Sequence, residues 1–217
     1  MRRTLITLAV AVAVRTATAD PVCNASDAAA EAAALRVHLR DESARAHRWN
    51  VGWGIGYGTA AAAQLGLAMA RWNPIGDYNR SFRDTLFVGA GKAALGALSR
   101  GFAPLRVEVP AAVADPCADV VALRGALARA ARRERALFWT SHIGSLVVNL
   151  GGSAIVADRA SWSVAAVTFA IGYPIGLLGA YTMPRGSWHA WRTLQPTAIA
   201  PVPIAGGGVA LTIAGTF

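Results

Sequence analysis

Residues 136–184, ALFWTSHIGSLVVNLGGSAIVADRASWSVAAVTFAIGYPIGLLGAYTMP, hold one acid and one base, Asp158 and Arg159, side by side near the middle. The pair separates two uncharged runs, Ala136–Ala157 and Ala160–Pro184. Each exceeds the roughly 20 residues with which a helix crosses a hydrocarbon core. Two further runs precede them, Trp49–Ala70 and Thr85–Ser99, the second interrupted by Lys92. The simplest arrangement is two helical hairpins. The predicted transmembrane helices are 49–70, 84–101, 138–157 and 160–183.

The seven Trp support this arrangement, because Trp49, Trp53, Trp72, Trp139, Trp162, Trp188 and Trp191 all lie at or just beyond the ends of the runs. Indole rings favour the membrane interface, where the ring is half buried and its N–H reaches water. Small residues recur at four-residue spacing inside the runs: Gly52 with Gly56, Gly54 with Gly58, and Gly172 with Gly176. That spacing predicts helix-packing faces, and Pro174 predicts a kink in the last helix. The same first glycines do not make a nucleotide site, since no strand precedes them and the GxGxxG spacing is missing.

Each hairpin has a matching preface. Ala19-Asp20-Pro21-Val22-Cys23 and Ala114-Asp115-Pro116-Cys117 share a composition, and each opens an Arg-rich segment that leads into a Trp and an uncharged run. The chain therefore reads as a tandem repeat, 20–112 and 113–193. Asp115 is placed to cap a helix with Pro116 at its first position. Amphipathic helices are predicted at 26–48 and 116–137. Ala28, Ala32, Leu35, Leu39, Ala46 and Trp49 line one face of the first, with Asp41 and Arg45 as an i,i+4 pair beside it. Val120, Leu123, Leu127, Ala130 and Phe138 line the second. The two stripes either pack on each other, which is the expectation adopted, or lie on lipid. Asp27, Glu31, Asp41 and Glu42 read as helix-start and helix-surface charges.

The N-terminus reads as a secretory signal peptide, residues 1–19: Arg2-Arg3, an apolar run from Leu5 to Val14, and a small-x-small site at Ala17-Thr18-Ala19. Such a leader sets the mature N-terminus on the exported side of a bacterial inner membrane, and four crossings bring Cys23, Cys117 and the C-terminal tail to that same side. A Cys23–Cys117 disulfide is expected there. The arginines run against the positive-inside rule, since Arg45, Arg48, Arg100, Arg132, Arg133 and Arg135 flank the exported ends. The Ala- and Gly-rich first run inserts only marginally. These two features keep a soluble periplasmic helical bundle as an alternative.

Hydrophobic residues make up 54% of the chain and charged ones 15%, against about 25% charged in an average soluble protein. The net charge is +9, and loss of Arg2, Arg3 and Arg15 with the leader reduces it to +6. No Lys-rich tract points to nucleic acid. No P-loop, GxSxG or HExxH occurs, and His38, His47, His142 and His189 lack metal-ligand spacing. The expectation is a non-enzymatic membrane protein without metal or cofactor, with a structural or partner-docking role on the exported side and a lipid bilayer, a protein partner or its own copies as company. The alternative function is permeation or solute binding by an oligomer. Lys92, the sole lysine, lies mid-run, as do Gln64 and Asn149. Ionisable residues at such depth are functional candidates, and the three are predicted to form an intramembrane polar site. After Trp191 the residues alternate and break, predicting a β-hairpin near 197–204 and 209–216 within a Pro/Gly-rich tail at 194–217.

Overall fold

The computed structural model describes residues 23–73, 79–194, 198–204 and 208–214, and the chain is mostly helical. The leader at 1–19 and its cleavage site lie outside the described residues. The helices are α1 (Ala25–Ala70), α2 (Arg80–Phe102), α3 (Pro116–Arg159), α4 (Trp162–Tyr181) and α5 (Gly186–Leu194). Strands β1 (Ala198–Ile204) and β2 (Gly208–Ala214) pair antiparallel, from Ala198 opposite Ala214 to Ile204 opposite Gly208.

Local chemistry sets the helix starts. Side-chain oxygens of Asn24, Asn79, Asp115 and Ser161 accept the N–H of Ser26, Phe82, Cys117 and Val164, at 3.1, 2.8, 3.1 and 3.3 Å. Each satisfies a donor that the first helical turn leaves unpaired. The Asp115 cap sits where the sequence predicts it, with Pro116 at the first turn. The Asn79 cap starts α2 at Arg80, earlier than the predicted 84. α1 stops where Arg71 turns left-handed at φ 52°.

The predicted amphipathic and apolar segments are not separate helices. Residues 26–48 and 49–70 form the single 46-residue α1, and 116–137 and 138–157 form the single 44-residue α3. No Pro interrupts either junction, and the buried stripe of each N-terminal half ends on the junction residue, Trp49 or Phe138. At 1.5 Å per residue each long helix reaches about 65–70 Å, roughly twice α2 or α4. Cys23 meets Cys117, Glu31 meets Arg124 and Lys92 meets Asn149. α1 and α3 therefore run parallel, and α2 and α4 return antiparallel beside them.

Two layers follow. In the first, the N-terminal halves of α1 and α3 pack through Leu35, Leu39, Leu123 and Leu127, with Leu105 and Val107 of the loop after α2 and with α5 laid over them. The two stripes pack on each other, as expected. Leu39, Leu123 and Leu127 are 0% exposed. Asn50 clamps the loop by donating to the Leu105 carbonyl at 2.9 Å and accepting its N–H at 3.1 Å. Arg36 holds both oxygens of Asp119 at 2.7 and 2.8 Å and donates to the Pro110 carbonyl.

In the second layer the distribution inverts. Most buried positions are small (Ala68, Ala90, Ala93, Gly152, Ser153, Ala165), with Leu86, Asn149 and Val156 the larger ones, while Ile55, Leu95, Ile143, Val147, Val167 and Ile171 are exposed. α3 and α4 are long and apolar enough to cross a membrane, and only 22% and 17% of their apolar windows are buried. α1 and α2 do not reach that mark. Ala and Gly dilute the apolar half of α1, and Arg80, Arg83, Asp84, Lys92 and Arg100 punctuate α2. Trp72, Trp139 and Trp162 are exposed at the run ends, whereas Trp49 and Trp53 are packed and donate to the Thr182 hydroxyl at 3.4 and 3.0 Å.

Candidate functional site

A cavity of about 980 Å³ opens in the second layer, walled by α1, α2, α3 and α4. The sequence of α3 builds one wall, because Thr140, Ser141, Gly144, Ser145 and Asn149 recur at three- and four-residue spacing and share a face. The opposite wall is α2, with Gly89, Lys92, Gly96 and Arg100.

Lys92 and Asn149 come together as the sequence predicts. The Lys92 ammonium donates to Asn149 Oδ1 at 3.1 Å. Asn149 Nδ2 donates to the Ser145 carbonyl one turn back at 2.8 Å, which turns its oxygen towards Lys92. Gln64 lines the same cavity but is not joined to the pair. Its Nε2 donates to the Ala60 carbonyl at 3.0 Å, and its carboxamide presses against Gly89 of α2. Gly172 gives the pair its room, since a Cβ there would overlap Asn149 Oδ1 and stand 3.0 Å from Lys92 Nζ.

The glycine faces divide. Gly172 and Gly176 pack against α3, with Gly176 seated on Ser145. Gly52, Gly56 and Gly58 meet nothing within 4 Å, and Gly54 meets only the Arg100 Cβ at 3.9 Å. Among the described residues, then, these four seat no neighbouring helix. α2 closes on α1 through its own glycines instead, Gly89 on Gln64 and Gly96 on the Tyr57 ring. α4 runs as one helix through Pro174.

Arg100 was not singled out by sequence, yet it sits at one end of the cavity with its guanidinium 4.2 Å over the Trp49 ring. Its Nε is buried without a partner among the described residues. No carboxylate lines the cavity among the described residues, so its field is positive at two depths.

A second polar cluster lies in the first layer. Glu42 and Glu134 are 1% and 0% exposed, which corrects the reading of Glu42 as a helix-surface charge. Glu134 Oε2 accepts the Trp188 N–H at 2.7 Å, and Glu42 lies against Gly186, so both acids face the start of α5. The Ser187 hydroxyl faces Glu134 and favours its charged form without meeting full hydrogen-bond geometry. Burial, helped by the neighbouring Glu42 charge, pushes Glu134 up to about 7 against these two. Arg45 pairs with Glu42 at 3.4 Å rather than with Asp41. Near the start of α3, the Arg36 fork holds the buried Asp119 below its ordinary value. Cys23 and Cys117 stand at disulfide distance with Cα atoms 6.2 Å apart, joining the starts of α1 and α3.

The sequence carried a signal for the acid pair. Each predicted stripe skips one turn, between Leu39 and Ala46 and between Ala130 and Phe138, and the skipped positions are Glu42 and Glu134. Among the described residues no group of His, Cys, Asp and Glu has the geometry to hold a metal ion. The chain matches no family model, no curated protein and no solved structure.

Proposed function

We propose that the chain is an integral membrane protein of a bacterial envelope, made of two duplicated hairpins that cross the bilayer four times. It works by holding a small amphipathic molecule inside the bundle and not by chemistry. The observation that carries this reading is the cavity with Lys92 and Asn149 paired within it. A polar pair at that depth is costly to keep in lipid and marks a binding or transport path, and the cavity lies within the size range of ligand sites. The exposed Ile, Val and Leu side chains of α3 and α4 favour lipid contact over a soluble bundle. In this reading the first layer, with its disulfide and α5, stands on the exported side.

Gly144 offers a direct test, because it lines the cavity and a Cβ added there meets nothing within 4 Å among the described residues. The protein should stay with the membrane pellet after carbonate extraction. Native mass spectrometry in mild detergent should detect a retained small molecule in the wild type that Gly144→Leu excludes. Recovery in the carbonate supernatant would overturn the membrane reading, and an identical bare mass for both proteins would overturn the binding reading.

Partner docking on the exported side is the second reading, favoured by the β1–β2 ribbon. Among the described residues the sheet has these two strands, so each keeps one edge for strand addition. Removal of 195–217 should then abolish a crosslinked partner or oligomer and leave the cavity ligand in place.

A further inference from the structure

Resting on the binding reading above, we infer that the occupant of the cavity is a long-chain carboxylate, a fatty-acid anion, with its head at Lys92 and its chain towards the gap between α2 and α4. Three observations lead there. The first is charge. Lys92 has one hydrogen-bond partner among the described residues, the neutral Asn149. An ammonium carries three donors, so two remain for a ligand, and a cation set in an apolar layer without a counter-charge is strongly unfavourable. Arg100 adds a second positive group on the same wall, and no acid lines the cavity among the described residues. An anion is therefore selected over a cation or a zwitterion.

The second is the path of entry. α2 packs on α1 and α3, and α4 packs on α3. The cavity is bounded on its lipid side by Leu95 of α2 and by Val167, Ile171 and Ile175 of α4, all exposed. Lys92 spans the gap and stops at Gly172 of α4. A ligand that enters between these helices comes from the bilayer and passes apolar side chains, which an acyl chain satisfies and a hydrated inorganic anion does not.

The third is the form of the head. Asn149 meets Lys92 from α3, held in place by its own bond to the Ser145 carbonyl one turn back. A planar carboxylate accepts one or two bonds from the ammonium. Arg100 stands eight residues along α2 from Lys92, about 12 Å at helical rise, so a head at Lys92 meets one cation and a single charge matches it.

The experiment is a direct titration of the full chain, purified in a non-ionic detergent, with a fluorescent fatty acid displaced by oleate, oleyl alcohol or dioleoyl phosphatidic acid. Oleate should displace the probe at concentrations about tenfold or more below those needed for oleyl alcohol. Lys92→Met should erase that preference, and Lys92→Arg should keep it. Equal displacement by acid and alcohol, or an unchanged preference in Lys92→Met, would overturn the inference and leave the cavity reading intact if Gly144→Leu still blocks the probe. Stronger displacement by phosphatidic acid than by oleate would overturn the single-chain assignment. Absence of probe binding to the wild type would overturn both readings. If Lys92→Met does not fold, loss of the acid preference in Arg100→Gln, with Lys92 intact, would equally contradict the assignment of the head to Lys92.

Discussion

Glu134 is the residue at which sequence and environment disagree most. It stands in an Arg-rich stretch, Arg132-Arg133-Glu134-Arg135, where a surface charge is the natural expectation. The heptad register turns it inward, 0% exposed, against Glu42 and the first turn of α5. Burial, with the Glu42 charge beside it, favours the protonated form of Glu134. The groups that face the pair are Arg45 from α1 and the Ser187 and Trp188 N–H region from α5. Because the folded value, about 7, lies above the ordinary 4.5, the folded state binds the extra proton. Stability is therefore full below about 4.5 and declines as pH rises through about 7. Thermal unfolding followed by Trp fluorescence across pH 4–9 should show that decline in the wild type, and Glu134→Gln should flatten it. A variant that declines as steeply as the wild type would remove Glu134 as the cause.

At the scale of elements, the helix faces follow from what each glycine meets. Gly176 lies on Ser145, so a larger residue must push α4 away from α3, whereas Gly56 points into open space. Gly176→Leu should cost about 1–3 kcal/mol through overpacking. Gly56→Leu should be neutral or slightly stabilising, because Gly weakens a helix interior by about 1 kcal/mol. Unfolding midpoints of the two variants in the same detergent decide this. Equal losses would mean that Gly56 faces another copy of the chain. The small-xxx-small spacing was legible in sequence for both sets of glycines. Spacing alone does not say which set has a partner, because that depends on the helix rotation set by Lys92, Asn149 and the first layer.

Over the whole molecule, the parallel pairing of α1 and α3 organises everything else. The Cys23–Cys117 bond closes a span of 94 residues and ties the two hairpins at one end. A loop of that length corresponds to roughly 4–5 kcal/mol in the chain-entropy account. The unreduced wild type should migrate faster on gels than the reduced one, and Cys23→Ser should remove that difference and lower the unfolding midpoint. A midpoint unchanged by the substitution, with the migration difference gone, would mean that packing of Leu35, Leu39, Leu123 and Leu127 alone holds the first layer together.

The sequence by itself determined the local and periodic features. Caps at Asp115 and Pro116, the apolar stripes, the Cys pair and the terminal ribbon rest on neighbours within a few turns or on pairing by composition, and these forces act along the chain. Only the tertiary structure decided the features that depend on which faces meet. It fused each amphipathic segment with its apolar run, because no helix breaker stands between them. It turned Glu42 and Glu134 inward, joined Lys92 to Asn149 while leaving Gln64 on its own helix, and brought Arg100 to the cavity. Each of those outcomes is set by the relative rotation of packed helices, and a linear pattern of residues does not encode that rotation at single positions.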